Sequence, residues 1–163
     1  MFVKLYAVAP TLTSEQLTDF FDNLVRCETR LYNALGDRLR AEHGITTSQF
    51  EFLRYLAAHP DSRVGDIAAN FAVGIGAISK VMDRLETAGW AIRVPNPSDR
   101  RSSLISLSAR GAALLTEAEP TFGQCLRELV SGVVRADQID AAAGVLATLR
   151  RSLEAARVGL PTG

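Results

Sequence analysis

The chain has 163 residues, a length that fits one domain better than two. Hydrophobic residues make up 47% of it and charged residues 22%, so it can bury a sizeable core and is not intrinsically disordered. No apolar run approaches the ~20 residues that cross a bilayer, which excludes a transmembrane protein. Residues 1–12 lack the apolar stretch of a secretory signal, and Cys27 and Cys125 are too few for a disulfide scaffold. A cytoplasmic protein is therefore expected.

The formal net charge is zero, but the charges are distributed unevenly. Residues 1–62 carry 6 Lys and Arg against 8 Asp and Glu, and residues 111–163 carry 5 against 6. Residues 63–110 carry 7 against 4 and form the basic segment of the chain. Such a small excess also occurs on ordinary solvated surfaces, so it indicates nucleic-acid binding only if the cations share one face.

Two capping boxes predict the first two helices, since a Gln stands three residues after Thr13 and again after Thr46. The first helix is expected to end near Gly44, and the second ends before Pro60. Both carry apolar stripes at helical spacing. The stripe of the first helix is long and comprises Leu17, Phe20, Phe21, Leu24, Cys27, Leu31, Leu35 and Leu39.

Two further helical patterns follow, with only residues 72–74 between them. The shorter has Val64, Ile67, Ala68 and Phe71 on one face, and the next has Ile75, Ile78, Met82 and Leu85. Gly74 suits a tight connection that would strain other residues. A short helix, a three-residue turn and a second helix form a helix-turn-helix.

After this segment the apolar period changes from helical to alternating. Ile92 with Val94, and Ile105 with Leu107, mark two short strands. Residues 95–102 between them are rich in turn formers and cations, which predicts a hairpin with a long polar tip. A hairpin directly after a helix-turn-helix predicts a winged helix.

Two long helices are predicted after the hairpin. Ser108 is expected to cap the fifth helix and Asp137 the sixth, while Pro120 predicts a kink or a break within the fifth. Residues 159–163 are expected to form a frayed tail. The first, fifth and sixth helices carry more apolar surface than a winged helix of about 60 residues can cover, which favours association of two chains over a larger monomeric bundle.

The fourth helix has features of a helix that binds in a DNA groove. Its outward residues are predicted to be Gly76, Ala77, Ser79, Lys80, Asp83 and Arg84. The first three are small enough for the helix to enter a major groove ~12 Å wide. Lys80 and Arg84 lie four residues apart and suit base edges or flanking phosphates. The alternative is an amphipathic core helix with an ordinary solvated face.

The predicted hairpin tip carries two adjacent arginines, Arg100 and Arg101. Arginine is the preferred side chain for insertion into a narrow minor groove, so both are candidate DNA contacts. Asp99 should repel phosphate, and we expect it to hold a neighbouring arginine in one orientation.

The run Asp83-Arg84-Leu85-Glu86-x-x-Gly89, followed by Asp99-x-Arg101, five residues and Leu107-Ser108, resembles the MarR family (multiple antibiotic resistance regulators). The resemblance extends from about residue 17 to residue 156. It implies a mainly α fold and a single winged-helix domain over residues 13–158, preceded by an N-terminal extension. The DNA-binding lobe would span about 46–107, and the dimerisation helices would span about 13–43 and 109–156.

The same resemblance implies a homodimeric repressor that binds double-stranded DNA at a pseudo-palindromic operator and is released by a small-molecule effector. Relatives commonly have Ser, Thr or Arg around positions 74 to 77, where this chain has Gly74-Ile75-Gly76-Ala77. A DNA-silent ligand-binding or protein-interaction dimer of the same fold remains an alternative, which the zero net charge and these glycines favour.

An effector pocket for a small aromatic or phenolic ligand is also implied between the two lobes. Its candidate lining is Arg26, Arg30, Tyr32, Phe52 and Tyr55. The alternative is that the aromatic residues belong to the core and the arginines are solvated. A thiol-based redox sensor is a second alternative function, because some relatives use a reactive cysteine. Cys27 and Cys125 both lie on apolar stripes, however, where buried and inert cysteines are common.

No enzymatic activity, metal site or cofactor is expected. The sequence lacks a nucleophile elbow, a His-Glu-x-x-His motif and paired catalytic carboxylates. His43 and His59 have no neighbouring Cys or His to complete a metal site. The pair Gly74-x-Gly76 lacks the third glycine and the preceding strand of a dinucleotide-binding fingerprint.

Overall fold

A computed structural model describes residues 11–99 and 102–161 of the chain. Within these ranges the helices are α1 (Ser14–His43), α2 (Thr47–Ala58), α3 (Val64–Phe71), α4 (Ile75–Thr87), α5 (Ala109–Val130) and α6 (Ala136–Ala155). The strands are β1 (Ser62–Arg63), β2 (Ala91–Pro95) and β3 (Ser103–Leu107). The predicted mainly α winged helix is confirmed.

The first two helices begin at the predicted capping boxes. The Gln16 backbone N–H donates to Thr13 Oγ1 at 3.2 Å, and the Thr13 N–H donates to Gln16 Oε1 at 2.9 Å. Thr46 and Gln49 repeat this arrangement with the same two distances. These reciprocal bonds satisfy backbone donors that a helix start otherwise leaves unpaired, which is why four local residues were enough to predict each start.

The three strands form an antiparallel sheet in the order β1-β3-β2. In the hairpin, Ala91 pairs with Leu107 and Pro95 pairs with Ser103. The two residues of β1 pair with the other edge of β3, so that Ser62 lies opposite Ile105. Strand β1 was not predicted, because two residues are too few to show an alternating pattern.

The core consists of two apolar clusters. The first lies inside the winged helix and comprises Phe52, Leu56, Ile67, Ala68, Ile78, Met82, Leu85, Ala91 and Ile105. The second joins α1, α2 and α5 and comprises Leu39, Ile45, Phe50, Leu53, Leu115 and Ala118. Trp90 and Leu107 pack against both clusters. The hairpin base therefore connects the winged helix to the long helices.

The junction between the hairpin and α5 is tightly closed. Ser108 Oγ donates to the Gly89 carbonyl at 2.6 Å and accepts from the Gly111 N–H at 2.9 Å, which confirms its capping role. Gly111 lies so close to the Trp90 carbonyl that a Cβ at this position would overlap it. The first turn of α5 therefore packs directly on the backbone at the end of α4.

For the last two helices, the predicted cap at Asp137 and a break at Pro120 were wrong, while a kink at Pro120 stays a prediction. Arg135, not Asp137, is the cap of α6, and Asp137 lies in the first turn with its carboxylate 2.8 Å from the Arg135 guanidinium. This ion pair lowers the pKa of Asp137. Pro120 does not break α5, which is one helix through that position. Pro120 is exposed, so water can bind the carbonyl that loses its intrahelical partner.

The N-terminal part of α1 and the whole of α6 bury no side chain in the single chain. The buried residues of α1 are Leu35, Gly36 and Leu39, and α6 has none. Large apolar side chains of these segments are exposed instead, for example Phe21 at 63% and Val145 at 59%. The apolar stripes predicted on these helices are therefore left largely uncovered within the chain as described.

Within the described ranges, no single helix is long and apolar enough to cross a membrane. The bent pair α3 and α4 passes such a test by length and composition alone. Its apolar residues Ile67, Ile78 and Leu85 are fully buried in the first core cluster, which accounts for this composition.

Candidate nucleic-acid interface

Helices α3 and α4 form the predicted helix-turn-helix, with their axes at 113°. The left-handed residue of the turn is Ala72, with φ of 50°, whereas Gly74 has φ of −61°. The expected conformational role of Gly74 was therefore wrong. A Cβ added to Gly74 or Gly76 would meet open space, so neither glycine is required by packing within the chain. An approaching partner surface is one reason to keep both positions without side chains.

The outward face of α4 is close to the prediction. Ile78, Met82 and Leu85 are buried in the core. Of the predicted contact residues, Gly76, Ala77, Lys80 and Arg84 are exposed and Ser79 is half-buried. Ile75 was expected to face the core with the other apolar residues, but it is 62% exposed. Ile75 lies on the same face of α4 as Ile78, as the helical pattern predicts. The core, however, begins only at Ile78, one turn further along the helix.

An arginine of the hairpin neutralises the acidic residues of α4. Arg93 Nη2 lies 2.7 Å from Asp83 Oδ1, and Arg93 Nε lies 3.5 Å from Glu86 Oε2. This role of Arg93 was not predicted, because in the sequence Arg93 stands only within the alternating pattern of a strand. No ion pair with another described residue occupies Lys80 or Arg84, so the cations of this face remain available. The exposed surface of α4 is thus effectively basic.

The turn that precedes the hairpin tip is organised by Asn96, which is only 3% exposed. Asn96 Nδ2 donates to Ser102 Oγ at 2.9 Å, and Asn96 Oδ1 accepts from the Ser98 N–H at 2.9 Å. Ser102 Oγ in turn donates to the Asp99 carbonyl at 3.1 Å. Arg100 and Arg101 lie outside the described residues, so the expected orientation of an arginine by Asp99 stays a prediction.

The candidate effector residues do not line one cavity in the described part of the chain. Phe52 is buried, with its ring 4.5 Å from that of Phe71, and Tyr55 stacks on His59 at 4.4 Å. Tyr32 borders a small cleft of about 360 Å³, and partial burial raises the pKa of its phenol. Arg26 and Arg30 are exposed on α1. The five residues were grouped because they lie on the first two helices of the sequence, but these positions do not share one surface of the described chain.

A larger cleft lies between α3 and α6 and has a volume of about 960 Å³. Its walls are mainly apolar and include Phe71, Leu146, Leu149 and Leu153. Arg150 and His59 also border it and supply polar groups. This cleft is lined by residues of both α3 and α6. None of the five candidate effector residues lies on either helix.

The two cysteines differ in exposure. Cys125 is buried, as its position on an apolar stripe predicts, but Cys27 is exposed in the single chain. No group of three or more His, Cys, Asp and Glu residues is close enough to hold a metal ion within residues 11–99 and 102–161. His43 instead hydrogen bonds Thr121 Oγ1 at 2.9 Å, which joins α1 to α5.

Comparison with known proteins gives a consistent assignment. Residues 45–103, which contain the helix-turn-helix and most of the hairpin, match the model of the MarR family. The chain is 28% identical over 128 residues to the multiple antibiotic resistance protein MarR of Escherichia coli K12, covering 75% of this chain and 89% of that protein. It is 27% identical over 126 residues to the repressor NicR of Pseudomonas putida, covering 77% and 79%.

Solved structures have the same fold. A MarR-family regulator of Streptomyces coelicolor in complex with DNA matches with a TM-score of 0.79 and 23% identity, covering 93% of this chain and 96% of that one. The repressor CouR, bound to a 23-mer DNA duplex, matches with a TM-score of 0.75 and 26% identity, covering 86% and 99%. Sequence motifs, fold and family match agree: residues 45–103 match the MarR family, and the chain as a whole is similar in sequence and fold to MarR-family transcriptional regulators.

Proposed function

We propose that the protein is a homodimeric, sequence-specific DNA-binding repressor of the cytoplasm, and not an enzyme. The observation that carries the proposal is the outward face of α4. This face combines small residues with Lys80 and Arg84, while Arg93 neutralises Asp83 and Glu86 beside them. CouR, which has a similar fold, is described as a repressor bound to DNA.

In this proposal α4 enters the major groove. Its 13 residues make a helix about 20 Å long, which fits a groove ~12 Å wide when the leading side chains are small. Gly76 and Ala77 allow the backbone to approach the bases. Ser79, Lys80 and Arg84 then supply the hydrogen-bond donors for base edges and phosphates.

The hairpin is proposed to bind the adjacent minor groove through Arg100 and Arg101, with Asp99 orienting one of them. The turn held by Asn96 and Ser102 supports this role, because it orders the backbone on both sides of the arginines before binding. An ordered turn loses less entropy on complex formation than a flexible one.

The second copy of the chain is proposed to cover the apolar faces of α1, α6 and the end of α5. These faces include Leu17, Phe21, Leu129 and Leu149, all exposed in the single chain. Apolar surface of this extent typically marks a protein interface. A twofold axis would then present two copies of α4 to successive major grooves ~34 Å apart.

The effector site is proposed to be the cleft between α3 and α6. A ligand there would contact both the DNA-binding part and the dimer-forming part of the chain. A small aromatic acid suits its apolar walls, and its carboxylate could pair with Arg157 or replace Glu154, which lies 3.8 Å from the Arg150 guanidinium. Such a ligand lowers operator affinity only if it binds more tightly to a dimer conformation that cannot bind DNA than to the DNA-binding conformation.

DNA binding is tested by fluorescence anisotropy with a duplex from upstream of the protein's own gene and a random-sequence competitor. We expect a clear preference for the upstream duplex and a steep fall in affinity with KCl concentration. Lys80→Ala should weaken binding and reduce the salt slope by about 2, one for each half-site, if Lys80 contacts a phosphate in both. Light scattering on the same sample should give the mass of a dimer. Equal binding to both duplexes would favour the DNA-silent alternative.

The effector site is tested by adding benzoate or salicylate to the protein–DNA complex. Leu153→Trp places a larger side chain in the cleft. If the ligand then releases less DNA from this variant than from the native chain, the assignment is supported. Release that Leu153→Trp leaves unchanged would place the ligand elsewhere.

A redox trigger is the second candidate, and the exposure of Cys27 favours it. Peroxide should then release DNA from the native chain but not from Cys27→Ser. Operator binding that is unaffected by peroxide would exclude this trigger while leaving the repressor function intact.

A further inference from the structure

The side chain of Ile75 lies at the first residue of α4 and is 62% exposed. It is more exposed than the other exposed large apolar residues of the described winged part, among them Val73 and Ile92. Ile78, one turn later, is fully buried. Ile75 therefore contributes little to the core, and its place on the surface needs a different reason.

The residues directly before and after Ile75 in the sequence carry no hydrogen-bonding side chains. Gly74 precedes it, and Gly76 and Ala77 follow it in the first turn. A Cβ at either glycine would meet open space, so nothing within the described chain blocks the backbone here. A DNA surface can therefore approach the start of α4 closely, where it would meet the exposed side chain of Ile75.

The major groove offers few features that an aliphatic side chain can distinguish. Base edges there present hydrogen-bond donors and acceptors, except for the C5-methyl group of thymine. The N-terminal residues of a recognition helix are those that contact base edges. An isoleucine at this position can increase DNA affinity by packing against a thymine methyl group. It cannot form a hydrogen bond with the donors and acceptors of the other base edges.

We propose that Ile75 determines operator specificity by packing against the C5-methyl group of one thymine in each half-site. The inference rests on the proposed DNA-binding function and extends it, because it names the base feature that the first turn of α4 recognises. Lys80 lies in the following turn of the same helix, about 140° around its axis from Ile75, so the two side chains would contact different parts of the half-site.

The test begins with duplexes selected by the full chain from a random-sequence pool. In the selected site each thymine is replaced singly by deoxyuridine, which removes only the methyl group. One thymine per half-site should be sensitive, with affinity falling about fourfold, the factor for one methyl-sized group removed from water. Replacement in both half-sites should lower affinity about fifteenfold.

The matched variants are Ile75→Ala and Ile92→Ala. Ile75→Ala should bind the thymine and deoxyuridine sites about equally, whereas Ile75→Val should keep most of the difference. Ile92 is a similarly exposed isoleucine, but its neighbour Arg93 points toward α4, so Ile92 points to the other face of the hairpin. Ile92→Ala should retain the full thymine preference. Circular dichroism confirms that all variants are folded.

Two results would overturn the inference while leaving DNA binding established. One is a selected site in which no thymine is sensitive to deoxyuridine. The other is an Ile75→Ala protein that discriminates thymine from deoxyuridine as well as the native chain does. Failure to select any duplex would instead contradict the proposed function.

Discussion

The winged helix and the terminal helices carry apolar stripes of the same period but differ in burial. Ile67, Ile78 and Leu85 are fully buried within the winged helix. Phe21 of α1 and Leu153 of α6 are exposed. Helical periodicity therefore shows that a face requires a partner, but it does not show whether that partner belongs to the same chain.

The largest effect is expected inside the winged helix. Leu85→Ala removes a fully buried side chain from the first core cluster and should lower the free energy of unfolding by about 2–5 kcal/mol. Urea unfolding checks the value. Leu153→Ala, on the exposed stripe of α6, serves as the control, and in dilute solution that favours the monomer it should change stability far less. Equal losses would remove the distinction between the two regions.

The next effect concerns association. Leu149→Glu places a charge on the apolar face of α6 without altering a buried site of the single chain. We expect light scattering to give a monomer, and operator affinity to fall on the order of 100-fold, because two linked half-site contacts become one. Arg151→Glu, also on α6, should remain dimeric. A dimer that persists in Leu149→Glu would exclude this face as the interface.

Loss of a wing arginine should have a smaller effect. Arg101→Ala is expected to cost about 1–3 kcal/mol of operator binding if the guanidinium makes a groove contact. Footprinting should show lost protection in the flanking minor groove while protection of the major groove persists. An unchanged footprint would refute the assignment of the wing.

Arg93→Ala should weaken operator binding by about fivefold, roughly 1 kcal/mol, because Asp83 is then left unpaired near the phosphates. Asp83→Asn in the same chain should restore affinity, since it removes the repulsion. Anisotropy titrations of the two single variants and the double variant measure this coupling. If the double variant is as weak as Arg93→Ala, the ion pair acts through hairpin position rather than charge.

The smallest expected effect is a dependence of stability on acid pH. Hydrogen bonds from Gln124 and Arg38, together with the Arg38 charge, lower the pKa of Glu128 below its ordinary value. The associated stabilisation is present above the ordinary pKa of glutamate, about 4.3, and is lost as pH falls through the lower folded pKa. The difference in Tm between the native chain and Glu128→Gln should therefore shrink with acidification. A constant difference would contradict this.

The sequence predicted the features that depend on neighbouring residues. Thr13, Thr46 and Ser108 cap helices through bonds within four residues, so their roles were visible in the chain itself. The hairpin was visible because two short alternating runs, residues 91–94 and 104–107, flank a polar turn. Lys80 and Arg84 were predicted to face outward because the apolar residues Ile78, Met82 and Leu85 mark the opposite, buried face of the helix.

The features that were missed depend on distant parts of the chain. Arg93 reaches Asp83 only because the chain reverses after α4, and β1 exists only because β3 offers a free edge. The exposure of Ile75 reflects where the core ends, which no local pattern records. The grouping of the effector candidates stays a prediction. The contact of Phe52 with Phe71 inside the winged helix is another feature that no local pattern records.

The closed junction at Gly111 has a consequence for how binding can be controlled. Since the start of α5 is seated against the Trp90 backbone, α5 and the hairpin base must rotate together. A helix of 22 residues is about 33 Å long, so a tilt of about 6° moves one end by about 3.4 Å relative to the other. That displacement equals one base-pair step of DNA. A small reorientation of α5 at the twofold axis is enough to put the two α4 helices out of register with their grooves.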